Sequence, residues 1–222
     1  MQQQSYFTFD KLQKTKIVCS EGDADLKTKP FLVSCSVLKD EVDQLSLANN
    51  FNIIFLGMTL HSDCELLEQN LNKVLKDCSE KSSRKIILVY GDYCLGPNDE
   101  MKKLAKKYNA IKVNALNCID CLFGGKGNYL KADPKNKMIF LSPGWIKYFD
   151  HHLRSATKEE QILFRTMFGG LEGIVLLDTL GNLRNYENRI KNFVDFTGLK
   201  ILKTKRIDTG NLRALISKSK EA

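Results

Sequence analysis

Lys85-Ile-Ile-Leu-Val-Tyr-Gly-Asp-Tyr-Cys-Leu-Gly-Pro97 is the stretch that decides the fold. Ile86 to Val89 are four consecutive apolar residues with no polar alternation, so a strand here has both faces covered. Gly91, Gly96 and Pro97 then supply turn chemistry. A strand of this kind belongs in a parallel sheet beneath helices.

Outward from it the same unit recurs. Phe31 to Cys35 precedes a helical spacing of Leu38, Val42 and Leu45. Asn52 to Gly57 precedes a helix that buries Leu67, Leu71, Val74, Leu75 and Cys78, opened by a capping box of Ser62 and Glu65. After Lys85 to Tyr90, Asn98 can cap a helix carrying Met101, Leu104, Ala105 and Tyr108. Further apolar runs are Ala110 to Leu116, Lys137 to Leu141, Gly173 to Asp178 and Leu199 to Lys203. Helices are expected at Trp145 to Leu153, after a second capping box at Thr157 and Glu160, and near Tyr186 to Phe196. Strands alternating with helices predict an α/β, three-layer Rossmann-like fold with a mainly parallel sheet. Met1 to Pro30, polar and rich in Lys and Gln apart from Ile17 to Cys19, reads as an N-terminal extension. Residues 31–222 read as a single α/β domain.

The chain has 222 residues, enough for a substantial core, and seven cysteines, too few and too odd in number for a disulfide scaffold. A reducing, cytoplasmic compartment is expected. The first ten residues lack a signal-peptide pattern and no run of 18 apolar residues occurs, so no membrane is expected. With 34 basic against 26 acidic side chains the formal charge is +8. Much of that excess lies in the basic stretch after Lys200, which contains no aromatic residue on which bases could stack. Nucleic acid is therefore not the expected partner, and a solvated basic face explains the charge.

The reactive residues are placed regularly. Cys35 closes the first run, His61 follows the second, Cys94 the third, and Cys118 and Cys121 the fourth. In an open parallel sheet such positions share the carboxyl edge, where ligands bind. Thiolate with imidazole suits zinc, while thiolates alone suit an iron–sulfur cluster. Cys118-x-x-Cys121 also has the spacing of a redox dithiol. Gly124-Gly-Lys-Gly127 can form a nest of backbone N–H groups for an anion, with Lys126 beside it, or a plain turn. Asp120 can hold a ligand or a substrate proton, and Asp178 can act as a base, a supporting partner or a helix-start residue. Cys78 reads as core, Cys64 as packing or ligand, and His151 and His152 as the favourable end of a helix. Cys19 has no evident partner.

Together, a cysteine after the first strand with Val37-Leu-Lys-Asp-Glu41, a Leu60-His-Ser62 segment, Tyr90-Gly-x-x-Cys-x-Gly96, Asp120-Cys-Leu-x-Gly-Gly-Lys-Gly127, Pro143-Gly-Trp-Ile146 and Phe196-Thr-Gly-Leu199 resemble one family, domain of unknown function sixteen thirty-eight. The resemblance runs from about Phe31 to Ile216. It implies Cys35, His61, Cys94 and Cys121 as the matching polar positions, with Tyr90, Gly91 and Trp145 as companions. It also implies an anaerobic, often methanogenic setting and the company of corrinoid-dependent methyl transfer. Many members carry a histidine where this chain has Ile119, and Cys118 lies one position earlier.

The expectation is thus a metalloprotein, in first place an enzyme, with zinc or an iron–sulfur cluster held by Cys35, His61, Cys94, Cys118 and Cys121. His61, Asp120 and Lys126 are its candidate catalytic groups. Gly124, Gly125, Gly127 and Trp145 are candidates for holding a cofactor or an anionic small-molecule substrate. Corrinoid enters only through a partner, such as a corrinoid or methyltransferase protein. The rival expectation is a non-catalytic carrier of metal, cluster or corrinoid for a partner enzyme.

Overall fold

The structure is a computed structural model and describes residues 6–8, 16–18, 29–81 and 84–221. The chain forms two compact units, residues 1–127 with 210–222, and residues 128–209. Each carries its own sheet. Strand-like runs are visible in a sequence, but which runs pair is decided by tertiary contacts.

The first unit holds a six-stranded sheet in the order β1-β2-β4-β3-β5-β6. The strands are β1 (Tyr6–Thr8), β2 (Lys16–Val18), β3 (Phe31–Cys35), β4 (Asn52–Leu56), β5 (Ile86–Val89) and β6 (Ala110–Lys112). The last four are parallel, with Leu32 opposite Ile53 and Val33 opposite Leu88. Every residue of β3, β4 and β5 is buried. Successive side chains point to opposite faces, so both faces of these strands are covered, as the unbroken apolar runs require. The supposed N-terminal extension contributes to this sheet, because β2 pairs antiparallel with β4, Ile17 opposite Ile54. Three-residue strands in a polar context leave too little periodicity to be read in advance.

Among the described residues, the first unit has five α-helices: α1 (Lys39–Gln44), α2 (Cys64–Lys81), α3 (Glu100–Lys107), α4 (Cys118–Leu122) and, below, the C-terminal helix. On α2, Leu67, Leu71, Val74, Leu75 and Cys78 are buried, the stripe read from the sequence. The cap of α2 differs from expectation: Asp63 accepts the Leu66 N–H at 3.0 Å, in the place assigned to Ser62.

The second unit is a three-stranded parallel sheet in the order β7 (Met138–Leu141), β8 (Gly173–Asp178), β9 (Ile201–Arg206). It carries α5 (Pro143–Leu153), α6 (Lys158–Phe168) and α7 (Glu187–Thr197). Leu141, Ile146, Ile174, Leu176, Tyr186, Ile190, Phe193 and Leu199 form its core. Ser142 caps α5, and the capping box of Thr157 and Glu160 is complete in both directions. The last strand starts later than the sequence suggested. Gly198 ends α7 in the left-handed region (φ 74°), and Leu199 packs in the core before the strand begins. Residues Lys203, Thr204 and Arg206 of β9 are exposed, and edge lysines of this kind discourage further strand pairing.

After β9 the chain returns to the first unit as α8 (Gly210–Glu221), which buries Leu212, Leu215 and Ile216. The basic C-terminal stretch is thus an edge strand and an amphipathic helix. No helix among the described residues is long and apolar enough to cross a membrane.

Candidate functional site

The strand order places a topological switch between β3 and β5, since the chain moves from β3 to β4 on one side and then crosses to β5 on the other. A crevice at the carboxyl ends of such strands is the general ligand site of open α/β sheets. Cys35 ends β3 and Tyr90 follows β5 directly.

Backbone geometry fixes what surrounds this point. The chain turns after Cys35 into a 3-10 helix, Ser36–Leu38, and the Cys35 Sγ accepts the Val37 N–H at 3.4 Å. Ser36 Oγ accepts the Met58 N–H at 2.9 Å, which ties this turn to the 3-10 helix Met58–Ser62 after β4. His61 lies on that second turn, and its Nε2 is 3.1 Å from Cys35 Sγ. The Tyr90 ring stacks on His61, with centroids 6.2 Å apart and planes 26° apart.

A second pair of turns meets beside the first. Asp92 and Tyr93 donate their N–H groups to Ala115 O and Leu116 O at 2.9 and 3.0 Å. This joins the 3-10 helix Asp92–Leu95, which carries Cys94, to the start of α4, which carries Cys118 and Cys121. Gly91 makes the joint possible, because a Cβ there would lie 2.2 Å from Asn117 Cα. Cys118 and Cys121 are three residues apart on α4 and so share a face.

Burial dominates the electrostatics. It holds the Cys35 thiol well above its ordinary range, helped by the thiols of Cys118 and Cys94 and opposed by the Val37 N–H. Burial pushes Cys94 up to about 11, against the Gly91 backbone and the Lys112 ammonium. Cys121 is raised in the same way, with Cys118 and Cys94 contributing. Desolvation lowers the His61 pKa and raises that of Tyr90, the latter aided by Cys35, Cys94 and Cys118. At neutral pH the set is therefore thiols, a neutral imidazole and a phenol. The nearby charges are Lys112 and Asp92, paired at 2.8 Å and both largely buried. Neither was singled out in the sequence, where a lysine ending a strand carries no signal of its own.

The structure thus brings Cys35, His61, Cys94, Cys118 and Cys121 to the carboxyl ends of four adjacent parallel strands. Among the described residues, however, no group of three His, Cys, Asp or Glu side chains is placed to hold a metal ion. Asp120 serves its own loop: it is fully buried, and one carboxylate oxygen accepts the Leu116 and Gly127 N–H groups at 3.0 and 2.8 Å. Of the two readings of Gly124-Gly-Lys-Gly127, a nest for an anion or a plain turn, the bonds made describe a turn. The N–H groups of residues 124–127 go, in order, to Cys121 O, Asp120 O, Asn114 O and the Asp120 carboxylate. All four residues adopt the left-handed region, and a Cβ on Gly125 would lie 2.1 Å from Asn114 O. The four N–H groups are thus taken within the protein, three by backbone carbonyls and that of Gly127 by the Asp120 carboxylate. Lys126 is exposed.

Trp145 lies in the second unit, packed against that unit's core and against Tyr148 and Phe149. Asp178 there accepts the Gly181 N–H at 2.7 Å and pairs with Arg206 at 3.1 Å, a turn-forming role. His152 meets Tyr148 O through Nδ1 at 2.9 Å in the last turn of α5, which also carries His151. Cys78 is core and Cys64 is exposed. Cys19 lies outside the described residues.

The sequence profile of a family described as "Protein of unknown function (DUF1638)" matches residues 55–216. The chain belongs to this family. His61, Tyr90, Gly91, Cys94, Cys118 and Cys121 fall inside the DUF1638 match and Cys35 falls before it. Neither a curated protein nor a solved structure matches the chain.

Proposed function

We propose that this DUF1638 protein binds a thiophilic metal ion, zinc in first place, at the carboxyl edge of the first unit's sheet. The reading is carried by the Cys35–His61 contact of 3.1 Å inside a buried group of thiols that raise one another's pKa. Sulfur and nitrogen ligands of one tetrahedral zinc stand about 3.5 Å apart, so this pair needs little rearrangement to act as two ligands. Cys94 and Cys118 complete the set, since these are the thiols felt at Cys35. A change of χ1 rotamer moves a cysteine sulfur by about 3 Å, the kind of adjustment by which they would close on the pair. Cys121 is the neighbouring reserve donor on α4.

A bound cation would reverse the local energetics, because thiols kept protonated by burial and mutual repulsion become thiolates when they coordinate. Nitrogen beside sulfur favours zinc over an iron–sulfur cluster. Were zinc held by three of these thiols alone, with His61 outside the coordination shell, its open position would supply a thiol or water made nucleophilic near neutral pH. His61 then orients Cys35 or moves a proton at the site's mouth, and the exposed Lys126 attracts an anionic small-molecule substrate. The corrinoid-dependent methyl transfer implied by the family resemblance gives this chemistry a setting, with a corrinoid or methyltransferase protein as partner. The deep burial of Cys118 and Cys121 also fits a closed four-ligand site, in which the protein would hold metal for a partner enzyme. All six cysteines of the described residues are free thiols, which supports a reducing, cytoplasmic setting.

Elemental analysis with a visible spectrum of protein purified without oxygen tests the proposal. Stoichiometric zinc in a colourless protein is expected, falling in Cys94→Ala and His61→Ala and unchanged in Cys78→Ala. Iron with a coloured spectrum would replace zinc by a cluster. Neither metal at stoichiometric level would refute the reading.

A further inference from the structure

Helix α6 buries none of its 11 residues, although Ile162, Leu163, Phe164, Met167 and Phe168 are all large and apolar. Its two faces are used differently. Gln161, Phe164, Arg165 and Phe168 form one stripe, which is tied to α7. Phe164 meets Phe196 with ring centroids 5.5 Å apart, and Gln161 Nε2 and Arg165 Nε donate to Phe196 O at 3.2 and 3.0 Å. The opposite stripe is Glu159, Ile162, Leu163, Thr166 and Met167, which at about 100° per residue fall within an arc of about 140°. Ile162, Leu163 and Met167 are 66%, 57% and 66% exposed. The Thr166 hydroxyl donates to Ile162 O at 2.9 Å, so its methyl group is the uncommitted part. One exposed leucine needs no explanation, whereas an apolar stripe running along a helix face marks an interaction surface.

The stripe reads the same from both ends. Glu159 makes its N-terminal end acidic. Its C-terminal end is basic, because the exposed Lys137 donates from Nζ to Gly170 O at 2.9 Å, just beyond Phe168. An antiparallel pair of these helices, related by a twofold axis midway between Phe164 and Arg165, brings Ile162 and Leu163 level with the partner's Met167 and the partner's Thr166. Glu159 is then level with the partner's Gly170, where the ammonium of the partner's Lys137 sits. We infer that the outer face of α6 is a homodimer interface on which two copies of the chain pair antiparallel, with Ile162, Leu163 and Met167 at its centre and a Glu159–Lys137 contact at each end. A second copy is the occupant because one stripe supplies both the apolar surface and the opposite charges that its own image needs. This goes beyond the metal reading and does not depend on it. One helix face per copy is a small interface, so the dissociation constant should be on the order of 10–100 μM.

Sedimentation equilibrium of the full chain at low salt, from about 2 to 300 μM, should show a reversible monomer–dimer equilibrium for wild type. Leu163→Glu should weaken it about tenfold or more, since a charge is then buried at the centre of the pair. Glu159→Lys and Lys137→Glu should each self-associate less than wild type, because like charges then meet at both ends. Mixed one to one, these two variants should recover wild-type affinity, since every end contact is again between opposite charges. Wild type that stays monomeric throughout overturns the inference. If in addition Leu163→Glu melts lower than wild type in dilute protein, another part of the same chain covers the face. A dimer indifferent to Leu163→Glu lies elsewhere on the molecule and also overturns it. A mixture no tighter than its two components refutes the antiparallel pairing, and the inference falls with it.

Discussion

Replacing Gly91 by alanine should unlock the two turns that carry the thiols. Gly91 sits at φ −82°, ψ 162°, a conformation any residue adopts, so the effect is purely steric. The new Cβ would lie 2.2 Å from Asn117 Cα and 2.3 Å from Leu116 O, both backbone atoms that cannot rotate away. To reach ordinary contact the two turns must part by about 1 Å. That stretch carries the Asp92 and Tyr93 hydrogen bonds, now 2.9 and 3.0 Å, out to about 4 Å, where they no longer exist. Two net hydrogen bonds are about 2 kcal/mol, and residual overpacking strain adds about 1–3 kcal/mol. At about 2–4 °C per kcal/mol for a chain of this size, melting followed by circular dichroism should fall by about 6–20 °C. Gly170→Ala is the control, since its Cβ meets only the Lys137 ammonium nitrogen, at 3.8 Å. A Gly91→Ala protein melting within about 2 °C of wild type would mean that the turns are not in the contact described, and the assembly of the site from them would be wrong.

Two further outcomes follow from the same region. Asp120→Ala removes the acceptor for the Leu116 and Gly127 N–H groups in a fully buried position, so urea unfolding should show a loss of about 2–4 kcal/mol; a loss under 1 kcal/mol would deny Asp120 its place as the loop's internal anion. In metal-free protein, stability should decline as pH rises from about 9 towards 11. The folded Cys94 thiol keeps its proton up to about 11 while the unfolded thiol loses it near 9, so the unfolded state gains by ionising first. It should also decline as pH drops below 6.5, because His61 is harder to protonate folded than unfolded. A flat profile of unfolding free energy across either window would contradict the burial of that group.

The site was largely legible because its residues follow strands, and strands buried on both faces announce themselves as unbroken apolar runs. Cys35, His61, Cys94, Cys118 and Cys121 could be placed on a common edge from the order of runs alone, since parallel connection sends every odd turn to the same side. What escaped reading depended on partners distant in sequence. Nothing in Gly124-Gly-Lys-Gly127 says that its N–H groups are already bonded to Cys121, Asp120 and Asn114, because a glycine-rich turn looks the same in sequence whether its donors are taken or open. Tyr90 ends its apolar run like any strand-terminal aromatic, and in the sequence only the family resemblance sets it apart. The division into two sheets was equally hidden, as the Lys137 to Leu141 run has the same texture as Ile86 to Val89. The short α4 was masked by its turn-rich surroundings, and α8 by lysines that belong to its exposed face.

The return of α8 to the first unit has a consequence for synthesis. Residues 128–209 form the second unit, so the first is left without its last helix while that whole segment is made. At about 5–20 residues per second the delay is roughly 4–16 s. Through that interval the surface later covered by Leu212, Leu215 and Ile216 lies open in the nascent chain. Residues 128–209 have by then all left the decoding centre, so the half-chain that arrives first is finished last. Helix α4, which carries Cys118 and Cys121 and packs against α8, is thus made well before the helix that covers it.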